Sequence, residues 1–310
     1  MGRLVIATRR SALAMWQSEF IKKEIENKHK ISVELKPMQT KGDKILDTPL
    51  AKIGGKGLFT KELEVSMLNG ESHIAVHSLK DVPMFFPEGL VLAAVTKRED
   101  ERDAFVSQNF ASFEDLPKGA VVGTTSLRRQ MQLLILRPDL KIKSLRGNVN
   151  TRLKKLEDNE FDAIILANAG LKRLGLSARY VTPFSKEQMI PAMGQGILGI
   201  EAVENTQILE FLEFLVDEKA LVESTIERDF VRILEGGCQV PIGINAELND
   251  SKVMINAVLG LTDSSEIIKK SIVVSKDSYK TAGIDLANEF IAKGAKELLV
   301  RAEKMANKQQ

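Results

Sequence analysis

The chain contains a single cysteine, Cys238, in the segment Glu235-Gly236-Gly237-Cys238-Gln239-Val240-Pro241. A lone thiol is ordinarily an inert small hydrophobe of a core. The two glycines beside it change that weighting, because they let the backbone bend sharply and leave room next to the sulfur, as a covalent attachment site requires. A second feature is Lys80-Asp81, which follows an apolar strand in AVHSLKDVP, at the end where α/β sheets place ligands. The same pair also reads as a surface ion pair in the turn before Pro83. A third is charge. Between Val121 and Lys155 stand nine basic residues, including Arg128, Arg129, Arg146 and Arg152, against one acid, Asp139. A local field of that kind suits a small polyanion, or else a solvated helical face. Arginines at the ends of strands favour the ligand.

Lys41, Lys52 and Lys56 lie in MQTKGDKILDTPLAKIGGKGLF, a glycine-rich stretch of little regular pattern. It is either a mobile lid carrying positive charge or a solvated loop. GGKGLF lacks the GxxxxGK[ST] frame of a phosphate loop.

Other chemistries are excluded by what is scarce. One cysteine rules out a disulfide framework and any multi-cysteine metal site, and three histidines leave little for a histidine-rich one, so no metal is expected. A net charge of +2 and 5% aromatic residues argue against nucleic acid. No apolar run reaches membrane-spanning length, and MGRLVIATRR reads as a strand instead of a signal peptide. A cytoplasmic α/β protein without a membrane partner is expected.

The elements that must hold these residues alternate. Leu4–Ala7 predicts a strand, with Ser11 capping a helix to about Asn27 whose apolar stripe is Leu13, Trp16, Phe20 and Ile25. Val33–Leu35, Ile74–Val76 and Leu90–Val95 predict further strands, with a helix from about Thr60 to Asn69 stopped by Gly70. A second series begins near Asp103. Ala120–Val122, Ile142–Leu145 and Ala163–Leu166 are its strands, Ser126–Leu136 is a helix ended by Pro138, and Asn148 caps another to Glu157. Two sheets with covering helices follow from this alternation. VIATRRS and VVGTTSLRR echo each other as strand, polar loop and helix start, and each joint can bind an anion. Two such joints suggest two domains facing across a cleft.

Further on, GQGILGIEAV re-enters a strand. Its Gly-Gln-Gly precedes a strand instead of opening a helix, so it is no dinucleotide fingerprint. Helices over about Thr206–Leu215 and Ala220–Leu234 lead to a meander of Ile242–Leu248, Val253–Leu261 and Ile267–Val274. Helices from about Tyr279 to Ala302 close an α+β third domain with a frayed lysine-rich end.

ATRRSALA, AVHSLKDVP, VGTTSLRRQ, SLRGNVNTRL, AIILANAGLKRLG and EGGCQVPIG occur in the order and approximate spacing of the porphobilinogen deaminases, or hydroxymethylbilane synthases, which the chain resembles over nearly its whole length. Departures are modest: Thr125 stands where a second serine is common, and Asn150 replaces a small residue or glutamine. The resemblance implies two domains like type II periplasmic binding proteins (1–98 with 197–215, and 99–196) and a smaller α+β domain (216–310). It implies a monomeric transferase that joins four porphobilinogen molecules head to tail with loss of ammonia, then releases hydroxymethylbilane by hydrolysis. The implied cofactor is a dipyrromethane, two substrate units tethered by thioether to Cys238. Lys80, Asp81, Thr124, Ser126, Arg128, Arg129, Arg146 and Gly147 would hold it. Arg9, Ser11, Arg146, Arg152, Arg173 and Gln195 would bind substrate, with Lys52 and Lys56 on a lid. Asp81 matches the catalytic carboxylate. The competing reading is a non-catalytic small-anion-binding protein of the two-domain periplasmic type, which needs neither Asp81 nor the Gly-Gly-Cys loop.

Overall fold

The computed structural model describes residues 3–44, 59–235 and 240–308. The described residues fall into two compact units. One holds 59–99, Ile197–Leu221 and the chain up to Lys44; the other holds Asp100–Gly196 and the chain from Val222 on.

In the first unit the strands are β1 (Arg3–Arg9), β2 (Ser32–Met38), β3 (Ile74–Ser78), β4 (Leu90–Val95) and, from much later in the chain, Leu198–Val203. The sheet runs in the order β2-β1-β3, then Leu198–Val203, then β4. The first three strands are parallel, and the returning strand is antiparallel to both its neighbours. Parallel neighbours require crossover connections. Helix α1 (Ala12–His29) supplies one, while α2 (Lys41–Lys44) and α3 (Lys61–Leu68) lie between β2 and β3 in the chain. The core joins Leu4, Ile6, Ile21, Ile25, Ile74, Val76 and Ile200.

Ser11 caps α1 as expected, accepting a bond from the Ala14 amide. The buried face of the helix keeps Ile25 of the expected stripe but not Trp16 or Phe20. Ala14, Gln17, Ser18, Ile21 and Ile25 are buried, whereas Trp16 and Phe20 are exposed and stack on each other with centroids 5.6 Å apart. Gln17 and Ser18 can face inward because each finds a partner: Gln17 Nε2 donates to Ser78 Oγ at 2.8 Å and Ser18 Oγ to Thr8 Oγ1 at 2.7 Å. A satisfied buried polar group outweighs simple apolar periodicity.

The second unit contains β5 (Asp103–Ser107), β6 (Val121–Gly123), β7 (Lys141–Lys143), β8 (Ala163–Ala167) and β9 (Tyr180–Pro183), ordered β7-β6-β8-β5-β9. Again three parallel strands are followed by one reversed strand, here β5, with a last strand beyond it. Helices α4 (Leu127–Leu136), α5 (Val149–Glu157) and α6 (Asn168–Leu174) follow β6, β7 and β8. The two sheets therefore share one topology. In the first, the reversed strand, β10 (Leu198–Val203), comes from after the second sheet; in the second, β5 comes from before it.

α7 (Thr206–Leu212) and α8 (Glu218–Ile233) precede the meander of β11 (Ile242–Asn249), β12 (Lys252–Gly260) and β13 (Ile267–Ser275), all antiparallel. The free edge of β11 is not left bare. Glu227 accepts from the Ala246 amide and Glu223 from the Leu248 amide, while Pro191 takes the Ile244 amide. Pairing an edge in this way closes it to other strands. α9 (Tyr279–Ala292) and α10 (Ala295–Lys308) follow, with Phe290 meeting Phe230 edge to face at 5.1 Å. The lysine-rich end is helical through Lys308, where fraying was expected. No helix of the described residues is long and apolar enough to cross a membrane.

Candidate active site

In the first unit the predicted residues stand at the carboxyl ends of parallel strands. β1 ends at Arg9, and Ser11 opens α1 beside it. The Arg9 guanidinium lies 4.2 Å from the centroid of Phe59 and is paired with Asp43, its Nε donating to Oδ2 at 3.3 Å. Asp43 also accepts from the Thr40 amide at 3.2 Å and the Thr40 hydroxyl at 2.8 Å. Burial would raise the Asp43 carboxyl, but the bonds from Arg9 and Thr40 together hold it below the usual range.

β3 runs directly into a single 3-10 turn, Leu79–Asp81, which presents Lys80 and Asp81. The turn is fixed from beneath. Leu79 is buried among Val82, Val95 and Ile197, its amide donates to the Ile197 carbonyl at 2.9 Å, and the Val82 amide returns to the Leu79 carbonyl at 3.1 Å. Asp81 itself is exposed and Lys80 half-buried. Four residues upstream of Asp81, buried His77 and Glu201 meet at 3.0 Å between Nε2 and Oε2.

In the second unit the joint between β6 and α4 is built from hydroxyls. The Thr124 amide donates to the Lys143 carbonyl at 2.9 Å, Thr124 Oγ1 accepts from the Ser126 amide at 3.1 Å, and Ser126 Oγ accepts from the Arg129 amide at 3.4 Å as the cap of α4. Arg146 and Gly147 follow β7. Gly147 adopts φ +115°, and a Cβ there would meet Thr151 Cγ2 at 2.7 Å, so the position needs glycine on both counts. Arg152, on α5, donates from Nε to the Gly147 carbonyl at 2.8 Å. Arg173, on α6, donates to the Gly196 carbonyl at 2.6 Å.

Arg128 and Arg129 behave differently from ordinary ligand-facing arginines. They are 4% and 6% exposed, and both hold Asp103, which is fully buried. Arg128 Nη1 donates to Asp103 Oδ2 at 2.7 Å and to the Ile190 carbonyl at 2.8 Å. Arg129 donates from Nε and Nη2 to Asp103 Oδ1 at 3.1 and 2.7 Å, and from Nη1 to the Ile165 carbonyl at 2.9 Å. Gln195 Nε2 reaches the same Oδ1 at 2.9 Å and the Glu101 carbonyl at 2.6 Å. Burial by itself would raise the Asp103 carboxyl; the two guanidiniums outweigh it and keep the group ionised well below the usual range. Burial pushes the Arg128 guanidinium down, and Asp103 opposes that shift.

Sequence reading passed over Asp103, Asp43, Gln17 and Phe59. Asp103 carried a signal: an acid opening the apolar run Ala104-Phe105-Val106 must find a cation if it is buried. Cys238, Lys52 and Lys56 lie outside the described residues.

Fold and site together define an α/β protein with donors for carboxylates at the carboxyl ends of its parallel strands. Residues 4–210 match the family described as porphobilinogen deaminase, dipyromethane cofactor binding domain, and 221–292 match porphobilinogen deaminase, C-terminal domain. The porphobilinogen deaminase of Campylobacter hominis is 64% identical over 308 residues, covering 99% of this chain and 100% of that one. That of Campylobacter jejuni serotype O:2 is 62% identical over 305 residues, covering 98% and 99%. Among solved structures, the methionine-binding protein MetQ matches with TM-score 0.44 and 15% identity, covering 71% of this chain and 90% of that one. A periplasmic substrate-binding protein from Coxiella burnetii gives 0.44 and 14%, covering 73% and 96%. The chain belongs to the porphobilinogen deaminase family, whose cofactor is a dipyrromethane. The family match disfavours the non-catalytic anion-binding reading.

Proposed function

We propose that this chain is a hydroxymethylbilane synthase, a transferase that condenses four porphobilinogen molecules head to tail with loss of ammonia and releases hydroxymethylbilane by hydrolysis. The observation that carries the reading is the 64% identity to a porphobilinogen deaminase over almost the full chain. The side chains present suit the cofactor's acids: Thr124, Ser126 and the first turn of α4 offer donors, and Arg146 follows β7 at the same end of the sheet. The dipyrromethane, held by Cys238, supplies a covalent primer whose terminal ring has a free α-carbon.

Each pyrrole brings an acetate and a propionate, and guanidinium forks hold carboxylates through two bonds while staying charged when desolvated. Lys80, Thr124, Ser126, Arg128, Arg129, Arg146 and Gly147 are assigned to cofactor, and Arg9, Ser11, Arg146, Arg152, Arg173 and Gln195 to substrate. Asp81 is assigned the catalytic role. Departure of ammonia from the aminomethyl group leaves positive charge on the substrate ring. A carboxylate at the pyrrole N–H stabilises that charge and carries the proton. Exposure of Asp81 on a turn held by Leu79 supports this role, because the group is both accessible and fixed.

The same reading divides the chain into domains 1–98 with 197–215, 99–196 and 216–310, in keeping with three separate sheets. It takes the protein as a cytoplasmic monomer without membrane or nucleic-acid partners, with Lys52 and Lys56 on a lid. The test is intact mass with turnover. The protein should carry two condensed pyrrole units and consume porphobilinogen, and Cys238→Ser should fold but lack the adduct. A bare polypeptide mass with no consumption would remove the proposal.

A further inference from the structure

Arg128 and Arg129 present an electrostatic imbalance. They occupy the first turn of α4, which contains no acid. Cations are disfavoured at a helix N-terminus, where the backbone already presents positive partial charge. Both guanidiniums are also buried, and a buried charge needs a counter-charge. Asp103 supplies one negative charge for two positive ones.

The bonding follows the same division. The two oxygens of Asp103 accept four bonds, one from Arg128, two from Arg129 and one from Gln195. The Ile190 and Ile165 carbonyls pin each guanidinium at a second point. Among the described residues Arg128 makes these bonds through Nη1 alone, with its Nε and Nη2 edge pointing to a further acceptor. Interior contacts thus fix the orientation of both forks, and among the described residues Asp103 is the one acid paired with them, so one positive charge is left over.

We infer that Asp103 is a positioning residue for ligand binding: it clamps Arg128 and Arg129 at the start of α4 and sets their joint charge to accept one further carboxylate. The inference rests on the assignment of these arginines to the pyrrole acids made above. It goes further in naming an internal acid as the group that orients them. Asp103 touches no ligand in this role. Without it the two guanidiniums would repel each other and lose their shared anchor, although each would remain charged.

The experiment compares Asp103→Asn, Asp103→Glu and Phe105→Leu with the wild-type holoenzyme. Phe105 lies in the same strand, and its side chain is buried in the hydrophobic core. Three quantities are read: the fraction of chains carrying the dipyrromethane mass, the thermal midpoint, and KM and kcat for porphobilinogen. Asp103→Asn should lower the cofactor-bearing fraction at least about fivefold and, in the loaded remainder, raise KM about tenfold with a smaller change in kcat. Asp103→Glu, which keeps the charge, should recover loading in part. Phe105→Leu should lower the thermal midpoint while keeping normal loading and KM.

Wild-type loading and KM in Asp103→Asn would overturn the inference, as would equal losses in Phe105→Leu. If Asp103→Asn fails to fold, Asp103→Glu decides: a raised KM supports the positioning role and an unchanged KM refutes it. A wild-type protein without the dipyrromethane mass would instead refute the proposed function itself, so the two failures are distinguishable.

Discussion

Asp81 and Asp103 are both aspartates, yet one is exposed and the other fully buried, so their removal should read out differently. Asp81 is exposed on a turn whose backbone is held by Leu79, so removing its charge removes little packing. Asp81→Asn should leave folding and most ligand binding intact and slow ring joining at least about 10²-fold, the low end of what a positioned acid–base group contributes. Single-turnover consumption of porphobilinogen by the cofactor-loaded variant measures this; wild-type elongation would make Asp81 only a turn residue. Asp103 is buried and held below the usual carboxylate range by its two arginines, against the opposing effect of burial. A depressed native pKa contributes stability that is complete above the unfolded-state value of about 3.9 and fades as pH falls toward the native value. The thermal midpoint of the wild type should therefore fall more steeply on acidification below about pH 5 than that of Asp103→Asn. Parallel slopes would mean the ion pairs add nothing to folding.

Among the elements, the joint of β6 and α4 shows how far local rules carry. Ser126 and Asn148 cap α4 and α5 as their residue types require, accepting from the Arg129 and Thr151 amides. The surplus of positive charge that follows is less uniform than its count suggests. Arg137 is engaged by Asp139 through Nε at 2.8 Å and Nη2 at 2.9 Å, with a further bond to the Leu116 carbonyl at 3.2 Å. Lys154 is paired with Asp158 one turn on. Arg137→Lys should accordingly lower the thermal midpoint only slightly, with KM unchanged. Arg146→Lys keeps the charge but loses the fork, and should impair cofactor assembly or raise KM with little change in thermal midpoint. Equal small effects at both positions would favour a solvated basic face. The helix stripe of α1 shows the opposite lesson. Its apolar spacing pointed to Trp16 and Phe20, but the buried side carries Gln17 and Ser18, whose partners Ser78 and Thr8 lie on other strands.

For the whole molecule, the first sheet depends on a strand that the chain supplies only after completing the second. Ile200 is fully buried in that strand and paired with Val76 on one side and Ala94 on the other. A proline cannot donate to a ladder and is confined to sheet edges. Ile200→Pro should unfold the first unit while residues from the third sheet keep their protection, as hydrogen exchange would resolve; uniform protection throughout would contradict the central place of β10. Strand and helix alternation, the caps at Ser11 and Asn148 and the family motifs were all legible in the sequence. Each depends on residues within a few positions of one another, where spacing and side-chain type act directly. Tertiary structure alone decided that β10 and β5 run in reverse beside β3 and β8, that Asp103 is the carboxylate on Arg128 and Arg129, and that Asp43 lies on Arg9. Those partners are 25, 26 and 34 residues apart in the chain, and charge pairing across such distances is set by which surfaces pack together, a property that no local period encodes.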